Sequence, residues 1–321
     1  MKLYTQYSGN SITCQAMLMS TLIAITVYSQ TDAKYLPDCF SLIERQEQLL
    51  SRFLPGSEIS RINHRAPETE RWQMSEDTAA IISRALYYSE LSGGLFDITT
   101  EPLSRLWNVN GENPVIPTAA SIQEALRPVG FHYLHIPPDE PKTLCFLSPD
   151  VQIDLGGIAK GYIADKVRDF LSLKGVKNAL INLGGNLICH GKRPDGSPFR
   201  VGIQDPFSSQ GTNRLILHAE DLSVVTSGSY ERHFIRNGKN YHHIIDPRSG
   251  YPRETDALSV TILSHDSIDD DGLSTVCFAL GSGEGCALLD TLDNVCGIFI
   301  TNQNKLILSN GAEDFIISQT V

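Results

Sequence analysis

Residues 151–175, VQIDLGGIAKGYIADKVRDFLSLKG, constrain the fold more tightly than any other stretch of the chain. Val151, Ile153 and Leu155 alternate with Gln152 and Asp154, and that period of two predicts a short strand. Beyond Gly156 and Gly157, the residues Ile163, Val167, Phe170 and Leu171 share one helical face, and Gly175 stops the helix. The glycines let a ligand approach the backbone closely. The free N–H groups and the positive dipole of a helix N-terminus favour an anion there, and Lys160 in the first turn adds a point charge. A tight strand-to-helix turn, with glycine chosen only for its dihedrals, accounts for the same residues. The stretch is neither a Walker loop, because no Gly-Lys-Ser/Thr follows, nor a G-x-G-x-x-G fingerprint.

The chain has 321 residues, 41% hydrophobic and 20% charged, an ordinary globular composition long enough for one large domain or two lobes. Its net charge of −11 and the lack of a basic run argue against nucleic-acid binding and against an anionic membrane surface. Seven cysteines, an odd number with no C-x-x-C pair, read as buried thiols of a reducing compartment, neither a disulfide frame nor a zinc site. Residues 16–29, AMLMSTLIAITVYS, have the greasiness of a signal-peptide core but are too short to span a membrane. Ile23, Ile25 and Val27 alternate with Ala24, Thr26 and Tyr28, so the segment is read as a core strand, with a cleaved leader as the alternative.

Helices are expected over 36–52, 76–92, 268–280 and 284–291, with a shorter one ending near Gly130. The stretch SRFLPGSEISRIN (51–63) reads as a loop. Strands are expected near 131–136, 143–147, 199–203, 214–218, 223–226, 232–236, 241–245 and 258–263. ALINLGGNLICHG reads as a strand pair or a bulged strand, and two more strands close the chain. Hairpin-like neighbours dominate after residue 180. The fold class is therefore α+β, with mixed or antiparallel sheets flanked by helices and no linker that separates independent domains.

Four stretches carry candidate chemistry. In SIDDDGLSTVCFALG (267–281), Ser267 and Asp270 have capping-box spacing, and Asp271 and Thr275 lie one helical turn apart on a shared face. A carboxylate plus a hydroxyl is a hard-oxygen pair of the kind Mg²⁺ accepts; aspartates that merely favour the positive helix end fit equally well. In YHHIIDPRSGYP (241–252), His242 and His243 end a strand and must point to opposite faces. VVTSGSYERHF (224–234) is a small-residue turn or an anion nest. In SGGLFDITTEPLSRLW (92–107), a helix C-cap explains the glycines but not Asp97.

Taken together and in order, these stretches with SRFLPGSEISRIN and LINLGGNL resemble the ApbE family of flavin transferases, from about residue 15 to the C-terminus. The resemblance implies two lobes of one ApbE-type domain over 13–321, with an FAD and metal site between the lobes. Met19-Ser20-Thr21 falls on the family's Met-Gly-Thr beside the flavin, with Ser in place of Gly. Phe53 falls on an aromatic stacking position, and Leu95, Phe96 and Asp97 on the segment lining the FAD site. Asp154 and Lys160 match flavin-nucleotide contacts. Gly157, Asp271 and Thr275 match the metal ligands, with Gly157 able to offer only its carbonyl. His243 matches the histidine of His-Ile-Ile-Asp-Pro. The family's Ala-Asp-Ala-Leu-Ala-Thr reads Asp-Asp-Gly-Leu-Ser-Thr here; Gly272 weakens the helix by about 1 kcal/mol relative to Ala.

The implied reaction moves FMN from FAD to a Thr (or Ser) hydroxyl of an acceptor flavoprotein, with Mg²⁺ and release of AMP. His243 is the candidate for proton transfer; Asp154 and Asp271 are alternatives. Two rival readings use the same residues: an Mg²⁺-dependent FAD pyrophosphatase, with water as nucleophile, and an FAD-binding protein without chemistry. No nucleic-acid partner and no stable membrane insertion are expected. The unpaired cysteines and the lack of an L-x-x-C lipobox predict a cytoplasmic protein, an exported form being the alternative.

Overall fold

A computed structural model describes residues 2–319. In chain order the strands are β1 (Tyr4–Ser8), β2 (Ser11–Leu18), β3 (Thr21–Val27), β4 (Arg71–Gln73), β5 (Leu134–His135), β6 (Thr143–Phe146), β7 (Ala179–Leu183), β8 (Asn186–His190), β9 (Phe199–Gln204), β10 (Asn213–Ala219), β11 (Leu222–Gly228), β12 (His233–Arg236), β13 (Lys239–His242), β14 (Ala257–Ser264), β15 (Cys296–Thr301), β16 (Leu306–Leu308) and β17 (Ile316–Gln319). The helices are α1 (Leu36–Leu50), α2 (Glu58–Asn63), α3 (Glu76–Leu91), α4 (Glu101–Trp107), α5 (Ala119–Leu126), α6 (Ala159–Leu173), α7 (Ser267–Leu280) and α8 (Ser282–Leu289).

Alternating burial along the strands builds the architecture. Nine strands form one sheet in the order β1-β2-β3-β7-β8-β11-β14-β15-β16, every neighbouring pair antiparallel. On β14 and β15, Ile262 and Phe299 enter the main core, while Leu263, Ile298 and Ile300 enter a second core on the opposite face. The main core takes residues from α1, α3, α6 and α7; the second is closed by β9, β10 and the neighbourhood of β17, which form a small antiparallel sheet. Buried on both faces, β15 reads as the unbroken run CGIFIT. The segment 16–29 runs through β2 and β3, well inside this sheet, as its alternation predicts.

A third apolar cluster, around Leu103, Trp107, Ile122 and Ile245, supports a two-stranded hairpin of β12 and β13. Phe234 stacks on Tyr241 and Tyr241 on Trp107, at centroid distances of 5.2 and 5.6 Å. The hairpin leads directly into His243.

Three local expectations need correction. Residues 151–155 are extended but pair with no strand. Asn63 substitutes for one: its Oδ1 accepts from the Ile153 N–H at 2.6 Å and its Nδ2 donates to the Ile153 carbonyl at 2.8 Å. Arg65 donates to the Val151 carbonyl at 2.7 Å, and the Asp154 N–H reaches the Ile98 carbonyl at 2.7 Å. The alternation reported burial, not a ladder. Second, the loop expected over 51–63 contains α2, whose first turn is capped by the Ser57 hydroxyl. Third, Ser267 and Asp270 do not form a capping box. The Ser267 and Ile268 N–H groups donate at 2.9 Å to the two carboxylate oxygens of Asp165, which comes from α6. Asp270 is fully buried and accepts from the Ser264 hydroxyl; burial raises its pKa well above the usual carboxylate range.

Candidate active site

The helices α6 and α7 meet at their N-terminal halves, and glycine permits the approach. A Cβ at Gly161 would lie 2.1 Å from the Ser267 carbonyl oxygen, and one at Gly272 would lie 2.6 Å from the Tyr88 ring. The glycine that weakens α7 by propensity thus makes room for an aromatic ring. Each helix also caps the other. Asp165 of α6 caps α7, and Asp271 of α7 accepts from the Gly161 N–H at 3.0 Å in the first turn of α6. Lys160 completes the joint, with Nζ 3.1 and 3.3 Å from the Asp271 carboxylate oxygens.

The N-terminus of α6 is therefore less open than the sequence suggests. The Ile158 and Ala159 N–H groups bond to the Leu155 carbonyl, and the Gly156 N–H bonds to Asp154 Oδ1 at 2.9 Å. What remains around the turn is a set of hard oxygens. A Cβ placed on Gly157 would fall 3.7 Å from Thr275 Oγ1 and 3.2 Å from the Phe96 ring, so the bare backbone at Gly157 lies close to the Thr275 hydroxyl. One carboxylate (Asp271), one hydroxyl (Thr275) and one backbone carbonyl (Gly157) suit a hard divalent cation that takes its other ligands from water or phosphate. Among the described residues, no group of three or more His, Cys, Asp or Glu could hold a metal.

The two carboxylates N-terminal to α6 have other tasks. Asp154 Oδ2 is paired with Arg52 Nε at 3.0 Å, and Arg52 also reaches Glu101 at 3.1 Å. The Arg52 guanidinium lies 4.0 Å from the centroid of the Phe53 ring, so Phe53, 71% exposed, stands next to Asp154 through that cation. Asp97 accepts from the Thr99 N–H, the Thr99 hydroxyl and the Phe131 N–H, all at 2.7 Å. Both its oxygens are thus committed to folding the 97–131 junction, and burial raises its pKa. Leu95 is buried, and the Phe96 ring meets Tyr88 edge-on at 6.3 Å. Met19 lies in the β2–β3 turn, its N–H held by Glu47 at 2.8 Å.

The paired histidines part at the end of β13: His242 is its last residue, and His243 begins the turn beyond it. His242 is buried edge-on against Phe278 and uses both ring nitrogens: Nε2 donates to the Arg253 carbonyl at 3.0 Å, and Nδ1 accepts from the Ile244 N–H at 3.3 Å. His243 uses one. Its Nδ1 faces the Arg232 carbonyl at 3.3 Å, an oxygen that can only accept, so Nδ1 carries the proton and Nε2 keeps a free lone pair. Burial pulls His242 down to about 4; the half-buried ring of His243 is pulled down to about 3 by desolvation, and the positive charges of Arg232 and Lys160 push it the same way.

One residue escaped the sequence reading. Glu231 lies within electrostatic reach of Lys160, Arg232 and Asp271; its side chain is solvent-exposed, yet desolvation by the surrounding protein pushes its carboxyl above the usual range. Its only sequence signal was its position inside VVTSGSYERHF, where it looked like turn polarity.

A model of the ApbE family matches residues 19–299. The chain is 34% identical to the FAD:protein FMN transferase of Treponema pallidum (strain Nichols) over 314 residues, covering 93% of this chain and 86% of that one. It is 38% identical to the FAD:protein FMN transferase of Klebsiella pneumoniae (strain 342) over 299 residues, covering 92% and 90%. Among solved structures it is similar to the flavin transferase ApbE from Vibrio cholerae, with a TM-score of 0.85 at 26% identity, covering 97% of this chain and all of that one. It is similar as well to the ApbE protein from Thermotoga maritima, with a TM-score of 0.85 at 27% identity, covering 99% and 100%.

Proposed function

The chain belongs to the ApbE family, and from that premise we propose that it is an Mg²⁺-dependent FAD:protein FMN transferase. In this reading residues 13–321 work as one domain, and FAD lies between its two lobes beside Phe53, Phe96 and the turn before α6. The substrate's pyrophosphate lies across the α6–α7 joint. Asp271, Thr275 and the Gly157 carbonyl hold Mg²⁺, which supplies charge neutralisation of the pyrophosphate. Lys160, 3.1 Å from Asp271, adds a positive charge at the same place.

The acceptor's Thr (or Ser) hydroxyl oxygen bonds to the FMN-side phosphorus. The bond from that phosphorus to the bridging oxygen breaks, and AMP leaves with the bridging oxygen. His243 Nε2 takes the hydroxyl proton. The observation that carries this assignment is the division of contacts: His243 retains an unused ring nitrogen, whereas Asp154 serves Arg52 and Asp271 is assigned to the metal.

The test is mass spectrometry of a candidate acceptor flavoprotein after incubation with enzyme, FAD and Mg²⁺. Transfer adds one FMN to a single Thr or Ser and releases an equal amount of AMP. Free FMN with an unmodified acceptor would instead make the chain a pyrophosphatase.

We place the acceptor's Thr or Ser in the cytoplasm. All seven cysteines are free thiols, as in a reducing compartment. N-terminal sequencing of the mature protein checks this; a chain that starts after about residue 30 would overturn it.

A further inference from the structure

The catalytic proposal needs His243 at a fixed distance from α7, yet His243 lies on a turn rather than in a strand or helix. We propose that Arg253 is the positioning residue that locks this turn to α7. The inference rests on the reading of His243 given above.

The turn folds back on itself. The Asp246 N–H donates to the Tyr251 carbonyl at 2.8 Å, the Gly250 N–H to the Asp246 carbonyl at 2.8 Å, and Ile245 bridges to Pro252. This brings Arg253 beside the residues that flank His243. Its N–H donates to the Ile244 carbonyl at 2.9 Å, and its carbonyl holds the ring of His242 at 3.0 Å. One residue thus touches the chain on both sides of His243.

The guanidinium then makes the long-range link. Nη1 donates to Asp246 Oδ2 at 2.9 Å, while Asp246 Oδ1 takes the Arg248 N–H at 2.8 Å. Nε of the same group donates to the Ala279 carbonyl at 2.8 Å, in the last turn of α7. Helix C-termini leave such carbonyls without helical partners and favour a cation there. Thr275 and Asp271 sit about one and two turns earlier on that helix. A single planar fork therefore ties the histidine's turn to the helix that carries the proposed metal ligands. Lysine has one point of charge and cannot hold both oxygens in that geometry.

The experiment is a double-mutant cycle on the full chain, read by single-turnover FMN transfer at saturating FAD, Mg²⁺ and acceptor. Arg253→Met in the wild-type background is expected to slow transfer by about 10- to 100-fold, the scale of misplacing a reacting group. FAD affinity, from flavin fluorescence, should change less than about twofold, because no proposed FAD contact is touched. In the His243→Ala background the same substitution should cost less than about twofold, since there is no longer a ring to place. Arg253→Lys should recover only part of the loss. Equal losses in both backgrounds would mean that Arg253 acts elsewhere, and would overturn the positioning role while leaving His243 intact. If His243→Ala itself costs nothing, the base assignment fails and the positioning role falls with it. Should Arg253→Met not fold, Asp246→Asn removes the other half of the link and enters the same cycle with the same expectations.

Discussion

The two halves of the proposed site are built in opposite ways. The α6–α7 joint is tied by backbone: reciprocal helix caps from Asp165 and Asp271, a glycine at 161 where a side chain cannot fit, and Lys160 closing the gap. His243 hangs on a turn held to α7 by one guanidinium and by the packing of the neighbouring His242 ring on Phe278, and the hairpin that leads into it is largely exposed. The joint would hold the part of the reaction that is the same for every acceptor, the pyrophosphate of FAD. The turn faces a target that arrives on another protein and must leave again. Rigidity on the phosphate side and adjustability on the acceptor side suit a transferase better than the reverse.

The largest effect should follow from breaking the joint at Asp271. Asp271→Ala removes the only anionic protein ligand proposed for Mg²⁺ and uncaps the Gly161 N–H, so transfer should fall by about 10³-fold or more. Asp271→Asn separates the two losses. It can still accept from Gly161, so it should regain thermal stability but not transfer. Transfer rates across an Mg²⁺ titration, with melting temperatures for both variants, check this. Full activity of either variant in EDTA-treated enzyme would remove the metal from the joint.

On the turn, His243→Ala should lower transfer by about 10²-fold, the usual scale for a lost proton acceptor. His242→Ala should change transfer by much less but destabilise the fold, because a buried ring leaves Phe278 and the Arg253 carbonyl loses its donor. Single-turnover rates for both variants decide the comparison, and a larger loss at His242 would reverse the two roles. The acid response adds a sign. Burial pulls His242 from its ordinary value down to about 4, so between pH 6.5 and 4 the unfolded chain binds a proton that the folded one refuses. Its contribution is complete above pH 6.5 and is lost as the pH falls, at up to about 1.4 kcal/mol per pH unit. His242→Gln should flatten that part of the melting temperature against pH curve.

A stability test sharpens the same contrast. Gly161→Ala forces a methyl group against the Ser267 carbonyl and should cost roughly 1–3 kcal/mol or more, with transfer falling as the helices part. Gly175→Ala, at the other end of α6, meets nothing within 4 Å; it pays only for its φ of +78°, about 1 kcal/mol. Denaturant melts of the two variants give the ranking. Equal losses would mean that the close approach of α6 to α7 is not what holds the joint.

What the sequence made legible follows the range of the interactions. Local periodicity was enough for α6 and α7, because burial of every third and fourth residue leaves its mark within one segment; for β7 and β8 it left a strand pair and a bulged strand as alternatives. Ordered motifs were enough to name Gly157, Asp271 and Thr275, which the fold brings to one joint. The misses involve side chains that act at long range. Asn63 serves as a strand partner for Ile153, and Asp165 caps a helix about a hundred residues away; nothing near Ile153 or Ser267 announces either. Gly272 looked like a weakness because propensity cannot see the Tyr88 ring above it. The donors that fix Asp97 come from Thr99 and from a turn thirty-four residues on, and nothing next to Asp97 in the sequence announces the second.

The smallest expected effect concerns Ser20, the loosest match to the family pattern. Met19 and Ser20 are the two central residues of the β2–β3 hairpin, which closes at the Leu18–Thr21 pair, and both have positive φ, 53° and 57°. A two-residue hairpin with that backbone follows the right-handed twist of its strands, and it favours glycine because a Cβ is strained there. The neighbouring β7–β8 hairpin solves the same problem with Gly184 and Gly185, at φ of 62° and 101°. Ser20 is exposed, and its side chain makes no hydrogen bond that would be lost. Ser20→Gly should therefore relieve strain at that position, with a greater loss of unfolded-chain freedom as the opposing term. The net expectation is a gain of about 0.5–1 kcal/mol, seen as a higher denaturant midpoint at an unchanged slope. Transfer should change little, because Glu47 still holds the Met19 N–H. A loss of stability would mean that the serine hydroxyl contributes something the strain argument omits, and would draw this turn into the comparison with the α6–α7 joint as a third held element.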